Sequence, residues 1–211
     1  FLLQPLDLPA AAAFFPAYTV EQRLEAWAVL GGMPYYLRSF ADSRSIFDNI
    51  RDVVLSTTGT LYNEPQLLLL EELREPRNYF AVLRAIAQGS TRLSEITQAA
   101  KIGDARVTAR YLDLLQQLHL VRRRVPATES RPEKSKRGLY VIEDPFLRFW
   151  FRFVHAHRGT LELGLADSVL QQRVRPVFEQ HVGGAFEDAA RGHIARLARA
   201  GRLPFLPDRV G

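Results

Sequence analysis

Asp104-Ala105-Arg106-Val107-Thr108-Ala109-Arg110-Tyr111-Leu112-Asp113-Leu114-Leu115-Gln116-Gln117-Leu118 is the stretch on which the fold turns. Val107, Tyr111, Leu114, Leu115 and Leu118 recur at steps of four, three, one and three, which predicts a helix over 104–118 with one face packed inward. Arg106, Ala109 and Asp113 point away from that stripe, with Thr108 and Arg110 on its flanks. The period then changes. Leu120 to Val125 reads as a strand, 126–137 as a loop holding Pro126, Ser130, Pro132 and Ser135, and Leu139 to Ile142 as a second strand.

Two shorter helices are predicted upstream, over about Asn78 to Gln88 and Ser94 to Ala100, punctuated by Gly89 and Gly103. Three helices followed by a hairpin make a winged helix-turn-helix. The third helix packs on the first two, so its outer face is free to enter a DNA major groove, while the hairpin loop lies along the phosphate backbone. Arg106, Thr108 and Arg110 are the candidate contacts on the helix, although Asp104 and Asp113 weaken it as an anion-binding face. On the hairpin the candidates are Arg122, Arg124, Arg131, Lys134, Lys136 and Arg137. Arg122, Arg123 and Arg124 alternate sides on a strand, so not all three face a ligand, and one is expected to pair with an acid. Winged helices also dock proteins, so that reading stands beside DNA contact.

The charge distribution agrees with this placement. The 211 residues carry a formal net charge of +5, with 47% hydrophobic and 24% charged residues. Between Arg122 and Arg137, seven basic residues face only Glu129 and Glu133, so that one segment holds the same excess as the whole chain. The absence of cysteine excludes disulfides and thiolate metal sites. No run approaches the ~18–20 apolar residues of a membrane helix, and a cytoplasmic location is the expectation. Phe1 opens the chain and 206–211 read as a loop, so a fragment of a longer protein is expected.

Outside the winged helix the pattern is mainly helical. Pro5, Pro9 and Pro16 limit residues 1–16 to a short strand and turns. A helix follows from Val20 to Leu30, capped by Thr19 and stopped by Gly31-Gly32. Another spans Ser45 to Leu55, and the run from Leu67 to Leu73 suits a buried helix. Asp144-Pro145 starts an apolar helix from Phe146 to Val154. Phe146, Phe149, Trp150 and Phe153 on it read as core between domains rather than as a base-stacking platform. Two more helices are predicted, over about Ala166–Val182 and Ala185–Ala200, and no internal repeat is evident.

Several segments together carry a family resemblance. They are Phe14-Phe15-Pro16, Gly31-Gly32-Met33-Pro34-Tyr35-Tyr36-Leu37, Asn63-Glu64, Tyr79 through Gly89, Leu118-His119-Leu120-Val121, Val125-Pro126, and Tyr140 through Phe153. The chain resembles the archaeal-type and bacterial ATPases of AAA type that join an ATPase_2 domain to a DUF234 region. The resemblance implies the tail of an ATPase core over 1–16, a helical lid over 17–75 and a winged helix over 76–143. From 144 to 211 it implies a helical bridge and the start of a PD-(D/E)XK-like nuclease region. ATP and magnesium are expected in an N-terminal domain absent from this sequence, which has no Gly-Lys pair and hence no phosphate loop. No cofactor is expected within the chain, which should not hydrolyse ATP by itself.

Phe186-Glu187 resembles the first-helix acid of the nuclease fold, which makes Glu187 a weak catalytic candidate; a surface helix carboxylate beside Asp188 is the plainer reading. Metal-dependent cleavage needs a further acid and an acid-x-lysine pair, and none follows. His155-x-His157 lacks a third ligand at metal spacing and reads as surface or helix-end histidines. Three functions remain: a lid and winged-helix portion coupling nucleotide state to DNA or a partner, a protein-interaction scaffold, or a truncated nuclease.

Overall fold

A computed structural model of the chain describes residues 5–72, 76–126, 128, 129, 135 and 137–205. The first helices are α1 (Leu8–Ala12), α2 (Val20–Leu30), α3 (Pro34–Leu37), α4 (Ile46–Asn49) and α5 (Glu64–Glu72), and α4 continues into a π-helical segment, Ile50–Leu55. Thr19 and Gln22 close the start of α2 reciprocally, each side chain accepting from the other's backbone N–H at 3.3 and 3.0 Å.

The winged helix follows as α6 (Pro76–Ala87), α7 (Leu93–Ala99), α8 (Ala105–Gln117), β1 (Val121–Arg124) and β2 (Leu139–Ile142). β1 and β2 pair antiparallel, Val121 opposite Ile142 and Arg124 opposite Leu139. Thr91, between α6 and α7, accepts from the Tyr140 N–H at 2.8 Å and so caps the outer edge of β2. Asp104 starts α8 by accepting from the Arg106 N–H at 2.7 Å. The helix ends with His119 in the left-handed region, and the His119 and Leu120 N–H groups donate back to Gln116 and Leu115.

The rest is α9 (Pro145–Phe149), α10 (Arg158–Glu162), α11 (Ala166–Val169) and α12 (Phe178–Arg199). Here the backbone repeats itself. α9 passes through a π segment, Trp150–Val154, and a 3₁₀ turn, His155–His157, into α10. Twenty residues on, α11 passes through Leu170–Val174 and Arg175–Val177 into α12. Val154 (φ −86°, ψ −62°) matches Val174 (−85°, −61°), and His157 (−120°, 20°) matches Val177 (−123°, 10°). Trp150-Phe151-Arg152-Phe153 against Leu170-Gln171-Gln172-Arg173 hides this from the sequence.

One hydrophobic cluster runs from Ala11 through the winged helix to Phe178. Its centre is aromatic: Phe146, Phe149, Trp150 and Phe151 are fully buried, and the Trp150 indole N–H donates to the Tyr62 carbonyl at 2.7 Å. The Gly31-Gly32 and Asp144-Pro145 segments touch each other. Gly31 turns with φ +67° beneath Asp144 and Pro145, and a Cβ on Gly32 would overlap the Leu6 backbone. The Tyr36 and Phe146 rings then meet at 4.5 Å.

Some expectations need correction. Residues 8–12 are helical, because Pro9 sits in the first turn, where its missing N–H costs nothing, and Asp7 caps the helix. On α5 only Leu69 of the four leucines is buried, while Leu67, Leu68 and Leu70 are exposed. Four consecutive residues cover most of a helix circumference, so they cannot all point inward. α12 runs unbroken through Gly183-Gly184. Burial of Phe178, His181 and Ala185 outweighs the ~1 kcal/mol that each glycine costs.

Candidate nucleic-acid interface

Thr108, Leu112 and Leu115 form the buried centre of α8, with Val107, Tyr111, Leu114 and Leu118 half-buried around them. Thr108 is therefore no ligand contact: it is fully buried, and its hydroxyl donates to the Asp104 carbonyl at 3.3 Å. Thr108 and Leu112 thus join Leu115 at the centre of the inward face, which packs against α6 and α7. Arg106 and Arg110 are one turn apart on the exposed face, followed by exposed Asp113 and Gln117. Neither arginine has an ion-pair partner among the described residues.

The hairpin arginines have separate fates. Arg122 is exposed and reaches Glu143 at 3.7 Å. Arg123 lies across Gly138, where a Cβ would overlap its guanidinium, and donates to the Ser135 carbonyl. Ser135 in turn donates to Glu129 at 2.9 Å and accepts from the Arg137 N–H at 3.1 Å. This holds the base of the wing. Arg124 is half-buried and bonded to Asp188 of α12, so it ties the hairpin to the C-terminal helix. It is the arginine that the alternation argument expected to find an acid.

Asp188 also receives Arg148 at 2.9 Å and Arg191 at 3.0 Å. Burial, then the neighbouring guanidinium groups of Arg191, Arg122 and Arg148, push the Arg124 pKa down, while Asp188 opposes them. The Arg124 Nε is buried with no hydrogen-bond partner among the described residues. A cleft of about 710 Å³ opens here between the hairpin and α12, lined by six arginines and by Glu187 and Asp188. Glu187 is exposed and pairs with Arg191 at 3.1 Å, as a surface helix carboxylate does. Arg137 is exposed at the same cleft, whereas Arg131, Lys134 and Lys136 lie outside the described residues.

Sequence reasoning missed Arg148, Asp188, Arg191 and Arg199. The i, i+3 spacing of Asp188 and Arg191 is a legible helical pair, but the Arg124–Asp188 bond joins residues 64 positions apart. Among the described residues, no three His, Asp or Glu side chains cluster as a metal site, and no helix is long and apolar enough to cross a membrane. His155 is half-buried at the end of the helical run that starts with α9. It packs against Phe80, Trp150 and Phe151, and burial, then Arg84 and Arg158, lower its pKa to about 4.

Residues 150–211 match the family DUF234, described as archaea bacterial proteins of unknown function. An uncharacterized protein of Methanocaldococcus jannaschii is similar at 29% identity over 209 residues, 99% of this chain and 46% of that protein. The chain thus spans about half the length of this relative. No solved structure matches. The DUF234 match takes in α10, α11 and α12, and with them Asp188 and Arg191, the α12 half of the arginine cleft.

Proposed function

We propose that the chain binds duplex DNA through the exposed face of α8 and the wing. It would do so as the lid and winged-helix portion of an ATP-binding AAA-type ATPase, passing nucleotide state to DNA. ATP and magnesium then belong to a domain outside these residues. One observation carries the DNA reading: Arg106 and Arg110 stand one turn apart on α8, exposed and without an ion-pair partner among the described residues. Exposed guanidinium groups on a helix suit phosphate and guanine contacts, and Arg137 at the hairpin adds a further cation.

The test is duplex binding at about 50 and about 200 mM salt, the range over which phosphate contacts lose most of their affinity. Arg106→Ser/Arg110→Ser should weaken binding by at least about tenfold and flatten the salt dependence by roughly one log–log unit per phosphate contact removed. A second variant with Arg131, Lys134, Lys136 and Arg137 changed to Ser should do the same. No binding at the lower salt, or binding by both variants as tight as that of the wild type, counts against the reading.

The exposed Leu67, Leu68 and Leu70 of α5 favour a second reading, docking of a protein partner. In that case the α8 variant would leave partner capture unchanged, and Leu67→Ser/Leu70→Ser would abolish it.

A further inference from the structure

We propose that the cleft between the β1–β2 hairpin and α12 is a phosphate-binding site, distinct from the exposed face of α8. The cleft collects more cationic groups than its carboxylates neutralise. Both oxygens of Asp188 are occupied, one by Arg148 and the other by Arg124 and Arg191, and Glu187 is engaged by Arg191. Arg122 has only Glu143 at 3.7 Å, while Arg137 and Arg199 have no ion-pair partner among the described residues.

Like charges held this close repel one another in a partly desolvated cleft, and a multivalent anion relieves that cost. Guanidinium forks match phosphate oxygens two at a time, and Arg122, Arg137 and Arg199 present exposed ones at the cleft. Val125, Pro126 and Leu139 supply an apolar wall on which a sugar or base can rest beside the phosphate. A volume of about 710 Å³ is that of a nucleotide-sized site.

The probe is inorganic pyrophosphate, titrated calorimetrically into the 211-residue chain with sodium chloride at matched ionic strength as the control. Saturable binding is expected. Arg122→Ser/Arg199→Ser should weaken it by at least about tenfold, the loss expected for two charge-assisted contacts. The α8 variant Arg106→Ser/Arg110→Ser should leave it unchanged, so this site and the duplex reading fail separately. Both cleft arginines are on the surface, and the melting temperature without ligand checks that the variant folds. If it does not, Leu139→Glu places a carboxylate at the mouth and should weaken pyrophosphate in the same way.

Displacement of pyrophosphate by a short single-stranded oligonucleotide identifies the phosphodiester backbone as the ligand. Displacement by ATP but not by the oligonucleotide identifies a free nucleotide. Either result supports the site. Absence of saturable pyrophosphate binding, or equal affinity in wild type and the cleft variant, overturns it.

Discussion

Asp188 accepts from three guanidinium groups while only 13% of its side chain is exposed, so the two sides of this cluster are not equivalent. Asp188→Asn removes the anion that Arg124, Arg148 and Arg191 share and leaves them crowded. Breaking a mostly buried pair this way should cost about 2–3 kcal/mol, read as a lower urea midpoint at unchanged slope. Arg124→Met removes a cation that its neighbours already disfavour and keeps most of the buried stem. It should cost less than half as much. Equal losses in the two variants would show that the cluster is an ordinary surface network. At this scale the sequence is legible in part: Arg106 and Arg110 can be read as exposed from the helical period. Thr108, between them, was misplaced, because a one-residue rotation of the stripe decides whether a small polar side chain faces water or core.

Among the elements, α12 joins parts of the chain far apart in sequence. Phe178 meets Phe47, the His181 Nε2–H donates to the Ala28 carbonyl at 3.0 Å, Asp188 holds the hairpin, and Arg196 reaches Asp7. It spans α1, α2, α4 and β1 with a single stiff rod. Gly183 sits inside it with open space where a Cβ would project. Gly183→Ala should therefore stabilise the protein by about 1 kcal/mol, the helix-propensity difference, without touching a neighbour. Thermal unfolding checks this, and a lower melting temperature would mean that the glycine serves a close approach not visible in the fold. The sequence pattern suggested a break here, since paired glycines end helices when nothing else holds them. Contacts on both sides of Gly183-Gly184 supply what the local sequence lacks.

For the molecule as a whole, buried ionisable groups set the pH dependence. Burial lowers the pKa of His155 and of His181 to about 4, so both fold neutral. Between about 4 and the ordinary 6.5 the unfolded chain binds more protons at these sites, so their contribution to stability is lost as pH falls through that window. Asp144 acts the other way. Burial raises its pKa to about 6 despite the Leu147 and Phe146 backbone N–H groups, so the folded state binds the extra proton as pH falls from 6 toward 3.8. Burial also lowers the pKa of His157 and raises that of Glu25, so three histidines against two carboxylates give net destabilisation on acidification. The urea midpoint should fall from pH 7 to pH 5, less steeply in His181→Gln and more steeply in Asp144→Asn, which keeps the helix cap. A flat profile, or the opposite order of the variants, would refute this balance.

Local periodicity and end signals were enough to determine that this chain is mainly helical, that three helices precede a two-stranded hairpin, and that Thr19, Asp104 and Asp144 begin helices. These features depend on residues within one or two turns of each other, and that information lies in the sequence. Which arginines remain available for an anion, and which are held by Asp188 or by the Ser135 carbonyl, was decided only when α12 packed against the hairpin. Long-range pairing of that kind leaves no period behind, because either partner alone is simply a charged residue on an element that has a polar side.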